Sequence, residues 1–250
     1  MNHDNFFEVI GEIAPTYDVR PFRDFLKFYE EEPIGATHRP KDASSIEEHI
    51  TILATCIRQV CLARSHELFT GSLGAMAAGN IFSMVALMRA HLETTSVLGH
   101  VFRLIDKVHK TPTCASEVDT KLFNLLFGTR NQSLLDAGAP EMSSIMSIID
   151  SADKGLYLLL QKPMGLKNTS QLRGVYDFLS EFAHPNFHSN ALAFTFDPVT
   201  QDLIFRRREG ISEADVEILS HLGISATVFM SFYGALEIEN REARPDRSTP

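Results

Sequence analysis

The sequence has few cysteines and none of the short motifs that mark common phosphate and nucleophile sites. Cys56, Cys61 and Cys114 are odd in number and form no Cys-x-x-Cys pair, which fits neither a disulfide framework nor a four-ligand zinc site. We therefore expect reduced thiols and a cytoplasmic location. The sequence also lacks a glycine-rich phosphate loop and a Gly-x-Ser-x-Gly elbow, which argues against the enzyme classes built on them.

Basic residues are outnumbered, and long apolar runs are missing. Lys and Arg total 23 against 32 Asp and Glu, and the formal net charge of −9 argues against wholesale electrostatic binding of nucleic acid. The most apolar run, 73–88, is interrupted by Asn80 and is shorter than the ~18–20 residues of a spanning helix, so no membrane association is expected. Residues 1–4 have neither a basic nor an apolar region, so no signal peptide is expected.

The periodicity of the apolar side chains predicts a mainly α protein of about six helices. They are expected at 46–69, 75–108, 115–127, 141–161, 169–184 and 212–239. Gly71 and Gly74 are predicted to form the turn between the first two helices. Alternating apolar residues on both sides of 197–201 predict a β-hairpin at about 191–208. The expected fold is a helical bundle with a β-hairpin appendage.

The chain is expected to fold as one main unit with two terminal segments. Residues 1–43 form an N-terminal extension that packs on a helical domain at 44–240, and residues 241–250 form a flexible tail. The hairpin ends in Arg206, Arg207 and Arg208. This basic run is either a solvated strand end or a contact for an anion or nucleic acid.

A narrow polar seam follows one side of the apolar helix at 75–108. At 100° per residue, Arg89, Glu93, His100 and Arg103 fall within about 80° of one another, and Arg89 and Glu93 are spaced to form an ion pair. Two interpretations remain open. The seam faces water, as on an ordinary amphipathic helix, or it forms an internal polar cluster with groups from another helix.

A second helix, at 169–184, carries a matching set of polar residues. Tyr176, Ser180 and His184 are spaced four residues apart on one face, and Pro185 places His184 at the helix end. With Arg89 and Glu93, this set offers an acid/base, a phosphate ligand and an orienting shell for phosphodiester cleavage. The other interpretation is a hydrogen-bonded network that fixes the packing of two helices.

A metal site is not expected at this second helix. His184 and His188 are four residues apart, but Pro185 interrupts the helix between them and a third ligand is not evident. We expect no metal and no cofactor. His188, His100 and Arg103 remain additional candidate site residues.

The two motifs together resemble a known group of proteins. Arg89-x3-Glu93 on one apolar helix and Tyr176-x2-Leu179-Ser180-x3-His184 on a later one resemble a group of uncharacterised bacterial all-helical proteins, which is similar to the HEPN superfamily. The resemblance covers about residues 46–190. It implies a HEPN-like bundle, a homodimer, and metal-independent ribonuclease activity in toxin–antitoxin or antiphage systems.

One part of the HEPN nuclease signature is not met at the candidate site. That signature is an Arg and a His separated by four to six residues in one helix, and Arg173 is too far from His184 to satisfy it. Arg103 and His109 do have this spacing.

Two functional hypotheses follow from these observations. The leading one is a HEPN-like protein that binds or cleaves RNA or a nucleotide in stress or phage defence, with a cognate antitoxin or another protein as partner. The alternative is a non-catalytic helical interaction module whose polar cluster is a structural network. The net charge favours the alternative, and the alignment of five polar side chains favours the first.

Overall fold

The protein is mainly α-helical, which confirms the predicted fold class at that level. The computed structural model describes residues 3–32, 43–165, 167, 170–184, 189–190, 194–205 and 210–242. Its helices are α1 (His3–Ile13), α2 (Arg20–Glu31), α3 (Ile46–Ala77), α4 (Ile81–Lys110), α5 (Ala115–Phe127), α6 (Gln132–Asp136), α7 (Ile145–Leu156), α8 (Gln171–Ala183) and α9 (Glu213–Glu242). A 3-10 turn at Pro112–Cys114 precedes α5, and a π-helical segment at Tyr157–Gln161 continues α7.

The predicted turn at Gly71 and Gly74 is wrong, because α3 continues through both residues to Ala77. The chain reverses at Gly79 instead, whose φ of 70° lies in the left-handed region that favours glycine. Gly71 serves packing: a Cβ there would lie 3.3 Å from Cδ1 of Leu87 on the next helix. Glycine at this position therefore lets α3 and α4 approach closely.

Helix α4 is the central element of the bundle and contacts α3, α7, α8 and α9. It approaches its neighbours closely at Gly99, where a Cβ would lie 2.7 Å from the ring of Phe232 and 2.8 Å from Ala152. Phe232 and Ala152 are fully buried. The crossing of α4 with α7 and α9 therefore depends on a residue without a side chain.

The N-terminal helices pack on this bundle. Phe22 and Phe25 of α2 are buried in the same core as the long helices, and α2 contacts α9. Helix α9 is long and apolar enough to cross a membrane, but more than half of that stretch is buried against the rest of the protein. Burial of this extent is typical of a core helix.

Two short strands follow α8. Phe194–Phe196 (β1) pairs antiparallel with Leu203–Phe205 (β2), and Phe194 lies opposite Phe205. The predicted hairpin extends beyond these strands on both sides. Its outer residues, 191–193 and Arg206–Arg208, lie outside the described residues, as does the 243–250 part of the predicted tail.

Candidate functional site: the Arg89 cluster

The fold brings three side chains from α4 and α8 into contact. The guanidinium of Arg89 donates from Nη2 to the Tyr176 hydroxyl at 2.5 Å and from Nη1 to Nε2 of His184 at 3.3 Å. Its central carbon lies 4.7 Å from the centre of the Tyr176 ring, which is a cation–π distance. We call Arg89, Tyr176, His184 and the neighbouring Glu93 the Arg89 cluster.

Glu93 supplies the negative charge of the cluster. Its Oε1 lies 3.4 Å from Nε of Arg89, one helical turn away. The distance is that of an ion pair, but Nε makes no hydrogen bond within the described residues and is shielded from solvent. The two side chains are 23% and 31% exposed, so their attraction is screened less than that of a surface pair. Glu93 therefore limits the orientations of the guanidinium.

His184 is the accessible member of the cluster. It is the C-cap residue of α8, where the backbone turns from helical to extended, and its side chain is exposed to solvent. A guanidinium has donors only, so Nε2 of His184 must accept from Arg89. The imidazole is therefore neutral in this arrangement, with its proton on Nδ1.

Tyr176 and Ser180 have different environments although they share a helix face. Tyr176 is buried and its hydroxyl reaches Arg89. Ser180 donates instead to the backbone carbonyl of Tyr176 at 2.7 Å, a bond within its own helix that serine commonly makes. The structure therefore gives Ser180 a role in α8, and the contacts of the Arg89 cluster do not include it.

A buried carboxylate from α7 fixes the start of α8. Asp153 is 4% exposed and accepts from the backbone N–H groups of Leu172 at 2.8 Å and Arg173 at 3.1 Å. Burial raises the pKa of this carboxyl, and the hydrogen bonds from the α8 backbone oppose that rise. Asp153 satisfies amide groups that a helix start leaves unpaired. It thereby sets the position of α8, and with it Tyr176 and His184, relative to the bundle.

His100 and Arg103 lie apart from the Arg89 cluster. They follow Arg89 by eleven and fourteen residues, which is roughly 16 to 21 Å along the helix. Burial lowers the pKa of His100 to about 4, and the charges of Lys121 and Arg103 add to this effect. The predicted seam is therefore not one site, because Arg89 lies in the N-terminal half of α4 and His100 and Arg103 lie in its C-terminal half. His188 lies outside the described residues.

Sequence reasoning missed a buried histidine at the centre of the bundle. His91 is fully buried, with Nε2 2.7 Å from the hydroxyl of Ser65 and Nδ1 2.8 Å from that of Ser225. The rings of Phe25 and Phe229 lie close by. This burial lowers the pKa of His91 to about 3. The sequence does contain one indication of this burial, because His91 lies among apolar residues on its side of α4.

A second missed residue is Arg58 on α3. It is 8% exposed, its guanidinium lies 3.6 Å from the centre of the Tyr233 ring, and Nε donates to the Tyr233 carbonyl at 3.1 Å. Nη2 of Arg58 donates to Oε2 of Glu237 at 3.1 Å. These contacts join α3 to α9, so we assign Arg58 a structural role.

The cluster has the chemistry of an anion site with a base beside it. Arg89 provides a cation, Tyr176 a hydroxyl and His184 an accessible proton acceptor.

In the part of the chain that the structure describes, no group of three or more His, Cys, Asp or Glu side chains is placed to hold a metal ion. Comparisons with protein-family models, curated proteins and solved structures found no match for this chain.

Proposed function

We propose that this protein is a HEPN-like helical protein that binds RNA at the Arg89 cluster and cleaves it without a metal ion. The observation that supports this most directly is the 3.3 Å contact between Arg89 and His184, because it joins a phosphate-binding cation to a neutral imidazole. A role in stress or phage defence, a homodimeric state and a cognate antitoxin are further parts of the proposal, which rest on the resemblance alone.

Each member of the cluster has a role in the proposed reaction. A phosphate of the RNA takes over the Nη1 donor of Arg89, which frees Nε2 of His184. That nitrogen accepts the proton of the adjacent ribose 2′-hydroxyl. The 2′-oxygen forms a bond to phosphorus as the bond to the 5′-oxygen breaks, and water supplies the proton that the 5′-oxygen takes up. Arg89 and the Tyr176 hydroxyl stabilise the charge that develops on the phosphorane oxygens.

A second candidate function is a non-catalytic interaction module, and one observation favours it. The Nη1 and Nη2 groups of Arg89 already donate to protein atoms, and Glu93 lies beside Nε. A guanidinium with these contacts is also what a structural network between α4 and α8 requires. In that case the cluster fixes the packing of the two helices and has no substrate.

Cleavage of short single-stranded RNA in the presence of EDTA tests the proposal. We expect fragments that end in a 2′,3′-cyclic phosphate and begin with a 5′-hydroxyl, and no cleavage of an oligonucleotide of the same sequence made with 2′-deoxyribose. His184→Ala should abolish cleavage and leave the melting temperature nearly unchanged, because the His184 side chain is exposed. His109→Ala tests the Arg103–His109 pair that has the HEPN spacing: His109 is also exposed but lies near the C-terminal end of α4, and we expect cleavage to survive its removal.

The two candidates predict different outcomes for the same variant. A structural network predicts no cleavage by the wild type and a loss of stability of about 1–3 kcal/mol in His184→Ala, the cost of leaving buried partners unsatisfied. Cleavage that persists in His184→Ala, or that EDTA abolishes, would contradict the proposed mechanism.

A further inference from the structure

One side of helix α4 remains open to solvent along the middle of the bundle. Between Arg89 and Arg103, the residues of α4 that are not buried recur at steps of three or four: Ala90, Glu93, Val97 and His100. Arg103 lies about 40° from Arg89 around the helix axis and roughly 21 Å along it. We call the line of these residues from Arg89 to Arg103 the α4 stripe. It carries an arginine at each end.

Arg103 is a cation without a partner among the described residues. Its Nε is shielded from solvent and makes no hydrogen bond, and no carboxylate pairs with its guanidinium. Asp106, three residues later, pairs with Lys110 instead. The stem of Arg103 is partly buried, and its Cγ lies 3.1 Å from where a Cβ would be on Gly155. Charges in such places are normally paired, so the remaining Nη groups suit an anion that comes from solution.

The surroundings of Arg103 add further positive charge. Lys107, one turn later on α4, and Lys121 on α5 share a single carboxylate, that of Glu117, at 2.8 and 2.6 Å. The charges of Arg103 and Lys121 both act on His100, which shows that these two cations lie on the same side of the bundle. Two ammonium groups on one carboxylate leave an excess of positive charge there. This end of the α4 stripe therefore attracts an anion, although the chain as a whole has a net charge of −9.

We propose that a single strand of RNA bound at the Arg89 cluster lies along the α4 stripe, and that Arg103 holds a second phosphate of the same strand. This rests on the proposed function, because it takes Arg89 as the ligand of the reacting phosphate. The planar fork of a guanidinium can bind two phosphate oxygens at once. Glu93, the acid of the stripe, is already paired with Arg89. Arg103 is a binding residue in this arrangement and does not touch the reacting atoms.

The separation of the two arginines sets the length of RNA that can reach both. At the rise of about 3.4 Å per nucleotide of a stacked strand, roughly 21 Å corresponds to about six nucleotides, and to fewer in an extended strand. A strand shorter than this contacts Arg89 alone. The contribution of Arg103 to binding should therefore depend on RNA length, whereas that of Arg89 should not.

Binding of RNA strands of different length tests this proposal. Strands with 2′-O-methyl groups lack the reacting hydroxyl, so their binding is measured without cleavage, by fluorescence anisotropy. Arg103→Gln should bind strands of about three nucleotides as the wild type does, and strands of about twelve nucleotides about threefold to tenfold more weakly, the effect of one partly screened ion pair. For the long strands, the slope of log Kd against log salt concentration should fall by about 0.7, the value for one phosphate contact of a single strand.

Two features keep this comparison specific. Glutamine retains the stem that packs against Gly155 and no protein partner is lost, so the melting temperature of Arg103→Gln should stay near that of the wild type. Arg23→Gln is the matched control, because it removes the same charge from an exposed residue of α2. That helix approaches α4 at the buried His91, on the far side from the stripe. Arg23→Gln should change neither the affinity nor the salt dependence.

The outcomes separate this inference from the proposed function. Long strands that bind Arg103→Gln as tightly as the wild type, an equal loss for short and long strands, or the same loss in Arg23→Gln would overturn the role of Arg103. The proposed function still stands in those cases if Arg89→Lys weakens the binding of every strand. If no strand binds the wild type, or if Arg89→Lys binds every strand as the wild type does, the proposed function fails and the role of Arg103 fails with it.

Discussion

The guanidinium of Arg89 lies 3.3 Å from the imidazole of His184, although 95 residues separate them in the chain. The contact forms because α8 packs against α4 and ends beside Arg89. The cluster therefore depends on where α8 begins and ends, and not only on the residues that compose it.

The first prediction concerns the shape of the Arg89 side chain. Arg89→Lys keeps the charge but lacks the planar fork that reaches Tyr176 and His184 together. We expect RNA cleavage to fall by about 10²–10³-fold in single-turnover assays, as for loss of a donor to a developing negative charge. Arg173→Lys is the control, because Arg173 lies on α8 but pairs with exposed acids. A similar loss in both variants would indicate general weakening of RNA binding.

The second prediction concerns the cap that holds α8. Asp153→Ala should lower the free energy of unfolding by about 1–2 kcal/mol, because two backbone N–H groups lose their acceptor. Asp153→Asn keeps one acceptor oxygen and should lose less. Urea denaturation measures both. Equal losses would mean that packing volume matters at this position and hydrogen bonding does not.

The third prediction concerns acid sensitivity. The pKa of His91 is lowered to about 3 by burial, so the unfolded chain binds a proton there at higher pH than the folded protein does. Stability should therefore fall as the pH decreases from about 6.5 towards 3, by up to roughly 1.4 kcal/mol per pH unit for this group. His100, with a pKa lowered to about 4, adds to the same trend.

Urea denaturation at several pH values checks this expectation. His91→Gln should flatten the dependence of the unfolding free energy on pH, while His109→Gln, at an exposed position, should leave it unchanged. An unchanged slope in His91→Gln would show that His91 is not the group that titrates.

The fourth prediction concerns the helix crossing at Gly99. Gly99→Ala places a Cβ within 2.8 Å of Phe232 and Ala152, so it should destabilise the protein by about 1–3 kcal/mol. Gly74→Ala is the contrasting variant, because Gly74 lies inside α3 with no atom within 4 Å of an added Cβ. It should be neutral or stabilise the protein by up to about 1 kcal/mol. Thermal denaturation of both variants distinguishes the two effects.

Sequence periodicity located the long helices because their apolar residues recur at three- and four-residue steps. The helix at 115–127 was predicted with the bounds that the structure has, whereas the end of α3 was misplaced. Gly71 lies inside α3, where its lack of a side chain allows α4 to pack closely. The turn is formed at Gly79, which has a positive φ. A single sequence does not distinguish these two uses of glycine.

The candidate site was only partly predictable for a related reason. Angular spacing along α4 placed Arg89 and His100 on one seam, but it contains no information on which neighbouring helix covers each part. Arg89 contacts Tyr176 and His184 of α8, and a bond within that helix occupies Ser180. Asp153 was missed because its role depends on the backbone of another helix.

The buried His91 has a mechanical consequence for the whole molecule. One imidazole joins Ser65 on α3 to Ser225 on α9, while being itself part of α4. Sliding any one of these three helices along another would break a bond that water cannot replace. The two bonds of His91 therefore oppose relative sliding of α3, α4 and α9, in addition to the core that these helices share.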